Sequence, residues 1–413
     1  MKRRVVITGT GLVTPLGDDV GQFWSDLVAG KSGIHNLTML DTSGFKIKIG
    51  GDIPEFDPSV VADSKEAKRL DRFSQFAMFA GTRAVEQTGL QFESENRERC
   101  GVILGSGIGG LWEIEAQMER MLFKGTDRVS PFTIPKMMLN AAGGNIGIQH
   151  GLRGPNYSVA TACASATNAM GDALRSIQYD DTDIVITGGS EAAITRMGLA
   201  GFQNMKALSS RNDDPQRASR PFDSQRDGFV LSEGAGLSVF EELEHAQNRG
   251  ADIIAEVIGF GCSCDAGHIT QPDPRGAGAA QAMRMAIQNA GIDPVDVDYV
   301  NAHGTSTPLG DKAETAAIHA VFGDHAKQLS ISSTKAAIGH SLGASGGIEA
   351  IVTALTLKHG VVHPTINLTD PDPACDLDYT PNEARERSVK IGMSNSFGFG
   401  GHNACIVLKR YDG

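Results

Sequence analysis

The segment YSVATACASATNAMGDALRSI, residues 157–177, passes from an extended start into a helical pattern. Its apolar residues recur at the i, i+3, i+4 spacing of a helix face, at Ala166, Ala169, Met170, Ala173, Leu174 and Ile177. The pattern predicts a helix with Cys163 in its first turn. Unpaired backbone N–H groups and the positive end of the helix dipole favour a thiolate there and could hold an oxyanion. The small residues Ala162, Ala164 and Ser165 leave room for a substituent on the sulfur.

A buried structural cysteine is the alternative interpretation of this segment. Most free thiols in folded proteins are small core residues and not nucleophiles. On residues 157–177 alone the structural interpretation is preferred, so the hypothesis of a nucleophile depends on partner residues elsewhere in the chain.

Short apolar, β-branched runs lie on both sides of this segment, with helical patterns between them; they are residues 4–8, 101–104, 183–187, 236–240, 254–258, 299–302, 389–393 and 404–408. Alternation of this kind is typical of α/β proteins, in which active residues lie in loops at the strand ends. Several of the runs lead into glycine-rich loops, where positive φ angles and close backbone approach are allowed. We therefore predict an α/β fold with its functional residues in these loops.

The two parts of the chain are weakly alike. RVVITGTG (4–11) and AEVIGFG (255–261) open the two parts, and CGVILGSGIGG and VDYVNAHGTST are strand-then-loop segments in comparable order. Identities are few, so the sequence alone leaves internal duplication open. No Pro/Ser-rich linker separates the parts, which favours one fused body. We predict a boundary near residue 250, with units 1–250 and 251–413.

Composition limits the classes of function. A net charge of −12 over 413 residues disfavours binding to nucleic acids or anionic membranes. No apolar run approaches the roughly 20 residues of a membrane span, and the start MKRRVVITGTG leads into a predicted strand. Six cysteines are too sparse and irregular for a disulfide framework. We expect a cytoplasmic protein with reduced thiols.

Two histidines stand in glycine-framed loops of the second part. NAHGTSTPLGD (301–311) places His303 directly after a predicted strand, and STKAAIGHSLGASGGIEA (333–350) places His340 before a helix of small residues. A lone histidine is usually structural or solvated. Two in such loops, beside a candidate nucleophile, favour a catalytic site. NSFGFGGHN (395–403) is a third glycine loop, whose backbone N–H groups are available as donors.

Two other motifs only superficially suggest a bound group. Cys262, Cys264 and His268 lie close together in CSCDAGH, but no second cluster completes a zinc site. GSGIGG (105–110) has the wrong spacing for a dinucleotide-binding fingerprint. We expect no metal ion and no cofactor.

The ordered motifs resemble the β-ketoacyl-[acyl-carrier-protein] synthases of the thiolase superfamily, most closely the synthase II branch of bacterial type II fatty acid synthesis. They span nearly the whole chain and read RRVVITGTGLVTPLG, GSGIGG, GLRGPNYSVATACASATNA, SRPFDSQRDGFVLSEGAG, NAHGTSTPLGDKAE, SSTKAAIGHSLGASGGIE, PTINL and NSFGFGGHN. The resemblance implies a thiolase-like fold, with two similar βαβαβαβαβ halves in a five-layered α-β-α-β-α sandwich. It also implies a homodimer and an acyltransferase that condenses malonyl-acyl carrier protein with an acyl chain held on a cysteine.

The resemblance assigns roles to particular residues. It implies Cys163 as the nucleophile, His303 and His340 as catalytic histidines, Lys335 as their support and Glu349 near that lysine. The oxyanion hole would be the backbone N–H groups of Cys163 and Phe399, with Phe399 also acting as a gate. The implied substrate-binding residues are Ile108 at the base of the acyl pocket, Thr305 and Thr307 along the pantetheine tunnel, and Phe202, Thr270, Gly400 and Glu349. Many members read GFGGTN where this chain has His402, which leaves loop details open.

Acyl carrier protein is acidic, so its implied docking site must be a basic patch on an otherwise acidic protein. The segment ADSKEAKRLDRF can form a helix capped by Asp63, with Glu66 three residues later. The implied docking residues are Lys65, Lys68, Arg69 and Arg72 on one helical face, extended by Lys206 and Arg211. A merely solvated helix face is the alternative.

Four other functions share parts of this pattern. A Cys/His hydrolase would use the same nucleophile but does not account for two glycine-framed histidines. A non-catalytic chain-length subunit lacks the cysteine, and a degradative thiolase uses a second cysteine in a context unlike that of Cys405. The ketosynthase subunit of an aromatic polyketide synthase shares every catalytic residue considered and is the nearest alternative.

Overall fold

The computed structural model describes residues 2–60 and 64–413. In that part of the chain, no helix is both long and apolar enough to cross a membrane. Its strands are β1 (Val5–Val13), β2 (His35–Asn36), β3 (Ile49–Gly50), β4 (Cys100–Gly105), β5 (Asn156–Val159), β6 (Ile184–Glu191), β7 (Gly234–Glu242), β8 (Ala255–Cys264), β9 (Tyr299–Asn301), β10 (Ser330–Ser332), β11 (Val361–Val362), β12 (Arg385–Glu386), β13 (Ile391–Gly398) and β14 (His402–Lys409). Its α-helices are α1 (Val20–Val28), α2 (Ser64–Ala67), α3 (Arg72–Thr88), α4 (Leu111–Lys124), α5 (Thr133–Met137), α6 (Ala141–His150), α7 (Ser165–Gln178), α8 (Arg196–Asn204), α9 (Leu243–Asn248), α10 (Ala277–Ala290), α11 (Gly310–Phe322), α12 (Lys335–Ile338) and α13 (Ser345–His359).

The main sheet contains the same strand arrangement twice. Among the described residues its order is β10-β9-β13-β14-β8-β1-β7-β6-β4-β5. Counted from its own first strand, each half has the order third, second, fourth, fifth, first, with the same parallel and antiparallel pairs. The two first strands, β1 and β8, pair antiparallel where the halves meet. The two similar halves implied by the resemblance are therefore present in the topology.

Helices lie between the two halves of the sheet and on both outer faces. α7 contacts β4 and β6 of the first half as well as β8 and β14 of the second, and α13 also contacts both halves. Their apolar side chains belong to a buried cluster that draws residues from both halves. α3 and α6 cover the first half from outside, and α10 and α11 cover the second. The predicted α-β-α-β-α layering is confirmed.

Both halves place a turn of the same shape before their central helix. Ala162–Ala164 form a 3₁₀ turn before α7, and Leu342–Ala344 form one before α13. The first residue of each turn has a positive φ, 50° at Ala162 and 47° at Leu342, which side chains rarely adopt. Strained backbone of this kind tends to occur at functional sites. The second residue is Cys163 in one turn and Gly343 in the other, so only one of them carries a thiol.

The strand predictions are confirmed, with two omissions in the main sheet and with the four two-residue strands β2, β3, β11 and β12 also not predicted. Each of the eight apolar runs lies on a main-sheet strand, but β5 and β10 were missed. Both are short edge strands rich in polar residues, so they lack the apolar run that marks a buried strand. In the second half a tight turn at residues 399–401 joins β13 to β14. The expected alternation of helix and strand therefore ends there in a hairpin.

Candidate active site

The predicted functional residues converge on one cavity. It measures about 590 Å³ and is lined by the turns before α7 and α13, the loop after β9 and the end of β13. The sequence-predicted residues that line it are Ile108, Cys163, Phe202, Lys206, Thr270, His303, Thr305, Thr307, His340 and Phe399. Both halves of the fold contribute to this lining, since the thiol comes from the first and the histidines from the second.

Cys163 is a buried thiol at the start of the central helix. Cys163 is only 7% exposed, and the backbone N–H groups of Phe399 and of Cys163 itself favour the charged form of its thiol. Burial raises the pKa of the thiol to about 12, against the Lys335 charge and these N–H groups, which lower it. Desolvation therefore outweighs the helix terminus, which the sequence led us to expect would favour the thiolate. The thiol needs a base when it reacts.

The ring of His340 lies directly beside this thiol. Nε2 of His340 is 3.0 Å from Sγ of Cys163, and Nδ1 is 2.9 Å from Oγ of Ser345. The Phe229 ring packs edge-on against the imidazole, with 5.3 Å between centroids. Burial, and then the charge of Lys335, lower the pKa of His340 well below its ordinary value. A neutral imidazole has one bare nitrogen, so His340 can accept the thiol proton.

His303 projects from the loop that follows β9. Its backbone N–H and that of Gly304 each donate to the Glu314 carboxylate at 2.8 Å, which fixes the loop. The His303 ring stands nearly perpendicular to that of His340, with centroids 5.4 Å apart. Burial, then Lys335 and His340, lower the pKa of His303 well below its ordinary value. Its ring is therefore neutral and can offer one N–H to a ligand in the cavity.

Lys335 and Glu349 form a buried ion pair behind the two histidines. Each side chain is about 1% exposed, and the Lys335 ammonium donates to Oε1 of Glu349. Burial raises the pKa of Glu349 to about 7, although Lys335 lowers it. The positive charge of Lys335 acts on Cys163, His303 and His340 through space. The pair supports the site electrostatically and lies outside the cavity lining.

The loop at the end of β13 brings a second backbone donor to the sulfur. Gly398 approaches the nucleophile turn so closely that a Cβ there would lie 2.7 Å from the Thr161 carbonyl oxygen and 3.0 Å from the Cys163 nitrogen. Only glycine fits this position, which explains one glycine of the NSFGFGGHN motif. The backbone N–H groups of Cys163 and Phe399 both act on the thiol sulfur, and both lower its pKa.

Glu191, at the end of β6, is a buried carboxylate in the cavity wall that the sequence analysis missed. It accepts hydrogen bonds from the backbone N–H groups of Gly107 at 2.7 Å, Ile108 at 3.2 Å and Gly343 at 3.1 Å, and from the Ser106 hydroxyl at 3.0 Å. Glu191 therefore ties the GSGIGG loop to the turn before α13. Its sequence context, GGSEAA, carries no motif, and an acidic residue at a strand end is the only available signal.

The remaining predicted substrate residues lie farther along the cavity. The Phe202 ring packs against Phe229 with 5.5 Å between centroids, near His340. The hydroxyls of Thr305 and Thr307, in the loop after β9, are 3.1 Å apart. Thr270 belongs to the segment after β8 and also lines the cavity. Gly400 has a φ of 87° and its N–H donates to the Ile269 carbonyl at 2.6 Å. That bond links the loop at the end of β13 to the segment that carries Thr270.

Part of the predicted basic patch is exposed. Lys65, Lys68 and Arg69 are exposed, and the Arg69 guanidinium lies 5.1 Å from the centroid of the Phe132 ring. Lys206 is exposed at the cavity edge, and the half-buried Arg211 donates to the Gln225 carbonyl at 2.7 Å. The expected cap Asp63 lies outside the described residues.

The placement of Arg72 on the same helical face is wrong. α2 ends at Ala67, and a new helix begins at Arg72 because the Asp71 side chain caps it by accepting from the Phe73 N–H. The Arg72 guanidinium donates to the buried Glu233 carboxylate and to the Ile53 carbonyl, each at 2.6 Å. With these partners Arg72 stabilises the fold, and it is not presented to a docking protein.

The CSCDAGH motif does not assemble a metal site. Residues 2–60 and 64–413 contain no group of three or more His, Cys, Asp or Glu side chains suited to a metal ion. Cys264 is exposed and Cys262 half-buried, and both thiols are free.

Family comparisons match both halves of the chain. Residues 2–246 match the family described as "Beta-ketoacyl synthase, N-terminal domain", and residues 254–369 match "Beta-ketoacyl synthase, C-terminal domain". The chain is 49% identical over 409 residues to a 3-oxoacyl-[acyl-carrier-protein] synthase 2 of Coxiella burnetii. It is 48% identical over 410 residues to the protein of the same name from Synechocystis. In both comparisons 99% of each chain is covered.

Solved structures share the whole fold. A beta-ketoacyl synthase from Burkholderia phymatum STM815 superposes with a TM-score of 0.92 at 36% identity. A type II PKS acyl-carrier protein in complex with its ketosynthase bound to the hexaketide, AntDE:AntF, gives a TM-score of 0.91 at 33% identity. Each comparison covers 100% of both chains.

Proposed function

The chain belongs to the β-ketoacyl synthase family, and on that premise we propose that it condenses malonyl-acyl carrier protein with an acyl chain held as a thioester on Cys163. The reaction is decarboxylative and elongates a fatty acid, as in acyltransferases of the 3-oxoacyl-[acyl-carrier-protein] synthase II type. The observation that carries the proposal is the 3.0 Å contact between Nε2 of His340 and Sγ of Cys163, in a cavity that also holds His303.

In the first half-reaction the acyl chain moves from carrier protein to enzyme. Nε2 of His340 takes the thiol proton as Sγ of Cys163 bonds to the thioester carbonyl carbon. The N–H groups of Cys163 and Phe399 donate hydrogen bonds to the oxyanion. Removal of one such donor from a protease raises the activation free energy by about 3 to 4 kcal/mol. The carbonyl then re-forms, the bond to the pantetheine sulfur breaks, and the departing thiolate takes a proton from water.

In the second half-reaction malonyl thioester loses its carboxylate and becomes an enolate. The N–H of His303 and the N–H that Nε2 of His340 now carries donate to the enolate oxygen, and burial in the cavity strengthens both bonds. The enolate carbon attacks the thioester on Cys163. As the thiolate of Cys163 is expelled, it recovers its proton from His340. Lys335 and Glu349 act on the site through their charges and do not contact the reacting atoms.

The proposed function is tested by incubating the protein with malonyl carrier protein and a ladder of acyl carrier proteins of increasing chain length. Mass spectrometry of the carrier-bound products should show β-ketoacyl chains longer than each primer by one malonyl-derived unit. Release of free acid without elongation would instead indicate the Cys/His hydrolase.

The acyl chain is proposed to extend from Cys163 toward Ile108 and Phe202. Ile108→Phe should then abolish use of the longest primers while short primers remain substrates, because an aromatic ring fills the base of the pocket. Overpacking costs about 1 to 3 kcal/mol of folding free energy, so the melting temperature is measured alongside. A folded variant that elongates the longest primer at the wild-type rate would disprove this pocket placement.

Acyl carrier protein is the proposed partner, docking on the exposed cations Lys65, Lys68 and Arg69, with Lys206 and Arg211 at the cavity edge. The family neighbour AntDE:AntF is a ketosynthase in complex with an acyl-carrier protein. Arg72 is omitted from the proposed patch because it pairs with Glu233.

Charge reversal at Lys65, Lys68 and Arg69 together should raise KM for acyl carrier protein substrates about 10-fold at low salt, with unchanged use of short pantetheine thioesters. Surface charges act on encounter and docking, so the difference should shrink as ionic strength rises. The matched control reverses Lys2, Lys390 and Lys409, which are exposed and lie outside the proposed docking and dimer faces. Equal loss with both kinds of substrate would show that the patch supports folding and does not dock the carrier.

A homodimer is proposed through the face formed by α4, α5, α6 and the edge strand β5, which contact one another in that order. This face exposes large apolar residues, among them Leu122 at 67%, Phe123 at 81% and Ile134 at 59%. Exposed apolar patches beside an unpaired strand edge favour association with another chain. Light scattering should give twice the chain mass of 43.6 kDa, and a monomer would refute the proposal.

Within each chain, residues 1–250 and 251–413 are proposed as the two structural units, the first supplying the thiol and the second the histidines. A cytoplasmic location, shared with the carrier protein, completes the proposal. The ketosynthase of an aromatic polyketide system is the second candidate, since AntDE:AntF shares the fold. The 3-oxoacyl-[acyl-carrier-protein] synthase 2 proteins of Coxiella burnetii and Synechocystis match at higher identity, which favours the first candidate.

A further inference from the structure

Ser345, the first residue of α13, contacts the far side of the His340 ring. Its Oγ is 2.9 Å from Nδ1 of His340, while Nε2 of the same ring is 3.0 Å from Sγ of Cys163. Ser345 is 2% exposed and His340 is 2% exposed, so bulk water does not compete for these bonds. Thiol, imidazole and hydroxyl therefore form one buried line of hydrogen-bonding groups.

The corresponding serine of the first half is used differently. Ser165 begins α7 as Ser345 begins α13, but the Ser165 hydroxyl donates to the Ala162 carbonyl at 2.7 Å and accepts from the Thr161 N–H at 2.9 Å. Ser165 therefore caps its own turn. Within the described residues, the Ser345 hydroxyl instead contacts His340 and, at 3.2 Å, the Ser341 hydroxyl. In the second half, the serine hydroxyl at this position contacts the His340 ring and does not cap its own turn.

A neutral imidazole carries its proton on one nitrogen only, and the hydrogen bond at the other nitrogen selects which. To remove the Cys163 proton, Nε2 must be bare, so the ring proton must lie on Nδ1. An Nδ1–H buried without an acceptor is costly, and costlier once Nε2 is protonated and the ring is charged. Ser345 Oγ is the acceptor within reach.

We propose that Ser345 is a positioning residue that accepts the Nδ1–H of His340 and thereby keeps the Nε2 lone pair directed at Cys163. As Sγ bonds to the acyl carbon, the S–H bond breaks and its proton bonds to Nε2, while Nδ1–H stays bonded to Ser345. The resulting imidazolium then has an acceptor on its buried side. This inference deepens the proposed function and rests on it.

The test separates the two half-reactions. Ser345→Ala should slow acylation of Cys163 about 10- to 100-fold, because the charged ring loses its acceptor. Malonyl decarboxylation by enzyme acylated beforehand should change by less than about 3-fold, since the neutral ring of the variant carries its proton on Nε2, where it still donates to the enolate oxygen. Ser345→Thr keeps the hydroxyl and should restore acylation. Ser341→Ala, which removes the neighbouring hydroxyl, is the matched control and should stay near wild type.

A second measurement does not depend on turnover. In full-length protein labelled with ¹⁵N-histidine, His340 should show a protonated Nδ1 and a bare Nε2, and Ser345→Ala should move the proton toward Nε2. A wild-type ring protonated on Nε2 would overturn the proposal, as would a Ser345→Thr enzyme that melts normally but acylates as slowly as Ser345→Ala. Wild-type protein that is never acylated would contradict the proposed function itself, a separate result.

Discussion

Replacing His303 with alanine is expected to slow malonyl decarboxylation about 100- to 1,000-fold while acylation of Cys163 stays within about fivefold of the wild-type rate. The reason is electrostatic. The enolate forms only in the malonyl step, so a donor aimed at it matters only there. The proposed base for the thiol is His340, whose Nε2 lies 3.0 Å from Sγ. Release of labelled carbon dioxide and mass spectrometry of Cys163 measure the two steps in parallel.

Two further variants sharpen this test. His303→Asn retains an N–H donor and should recover part of the decarboxylation. His319→Ala is the matched control, because that histidine pairs with Asp376 on the surface, away from the cavity. Should His303→Ala stop acylation as completely as decarboxylation, His303 would be the base for Cys163, and the division of roles between the two histidines would be incorrect. His340 cannot serve in this test because its ring touches the sulfur.

Cys163→Ala is expected to lower condensation about 1,000-fold or more and to abolish the acyl adduct seen by intact mass. The five other thiols lack the arrangement around Cys163. Cys100, Cys375 and Cys405 are buried and do not line the cavity. Peptide mapping after incubation with acyl carrier protein locates the adduct.

The exposed thiol provides the control for that experiment. Sγ of Cys264 contacts the Gly400 carbonyl at 3.6 Å, which is an acceptor and no base for a reacting thiol. Cys264→Ser should therefore acylate normally. An adduct on Cys262 or Cys264 in the wild-type protein would remove Cys163 from its assigned role.

The sequence predicted the buried strands and the convergence of the catalytic residues because both leave local signals. Apolar runs mark strands covered on both faces, and glycine-framed loops mark the turns that hold His303 and His340. The edge strands β5 and β10 carry no such run, because both are short and rich in polar residues. Glu191 was missed for a related reason: its partners are backbone N–H groups, which sequence does not display.

Tertiary contacts override a local pattern in two other places. The helical spacing placed Arg72 with Lys65, Lys68 and Arg69, but Asp71 starts a new helix and the buried Glu233 draws Arg72 inward. The helix terminus favours a thiolate at Cys163, whereas burial raises the pKa of that thiol. Glu233 and most of the apolar residues packed around Cys163 are distant in sequence from the positions concerned.

The paired turns before α7 and α13 imply a division of labour between the halves. They share their strained backbone angle, yet one holds the thiol and the other holds a glycine whose N–H is occupied by Glu191. The thiol and the histidines therefore line one shared cavity, and neither half alone supplies both. The pairing of β1 with β8, where the halves meet, therefore sets the distance between the thiol of the first half and the imidazole of the second.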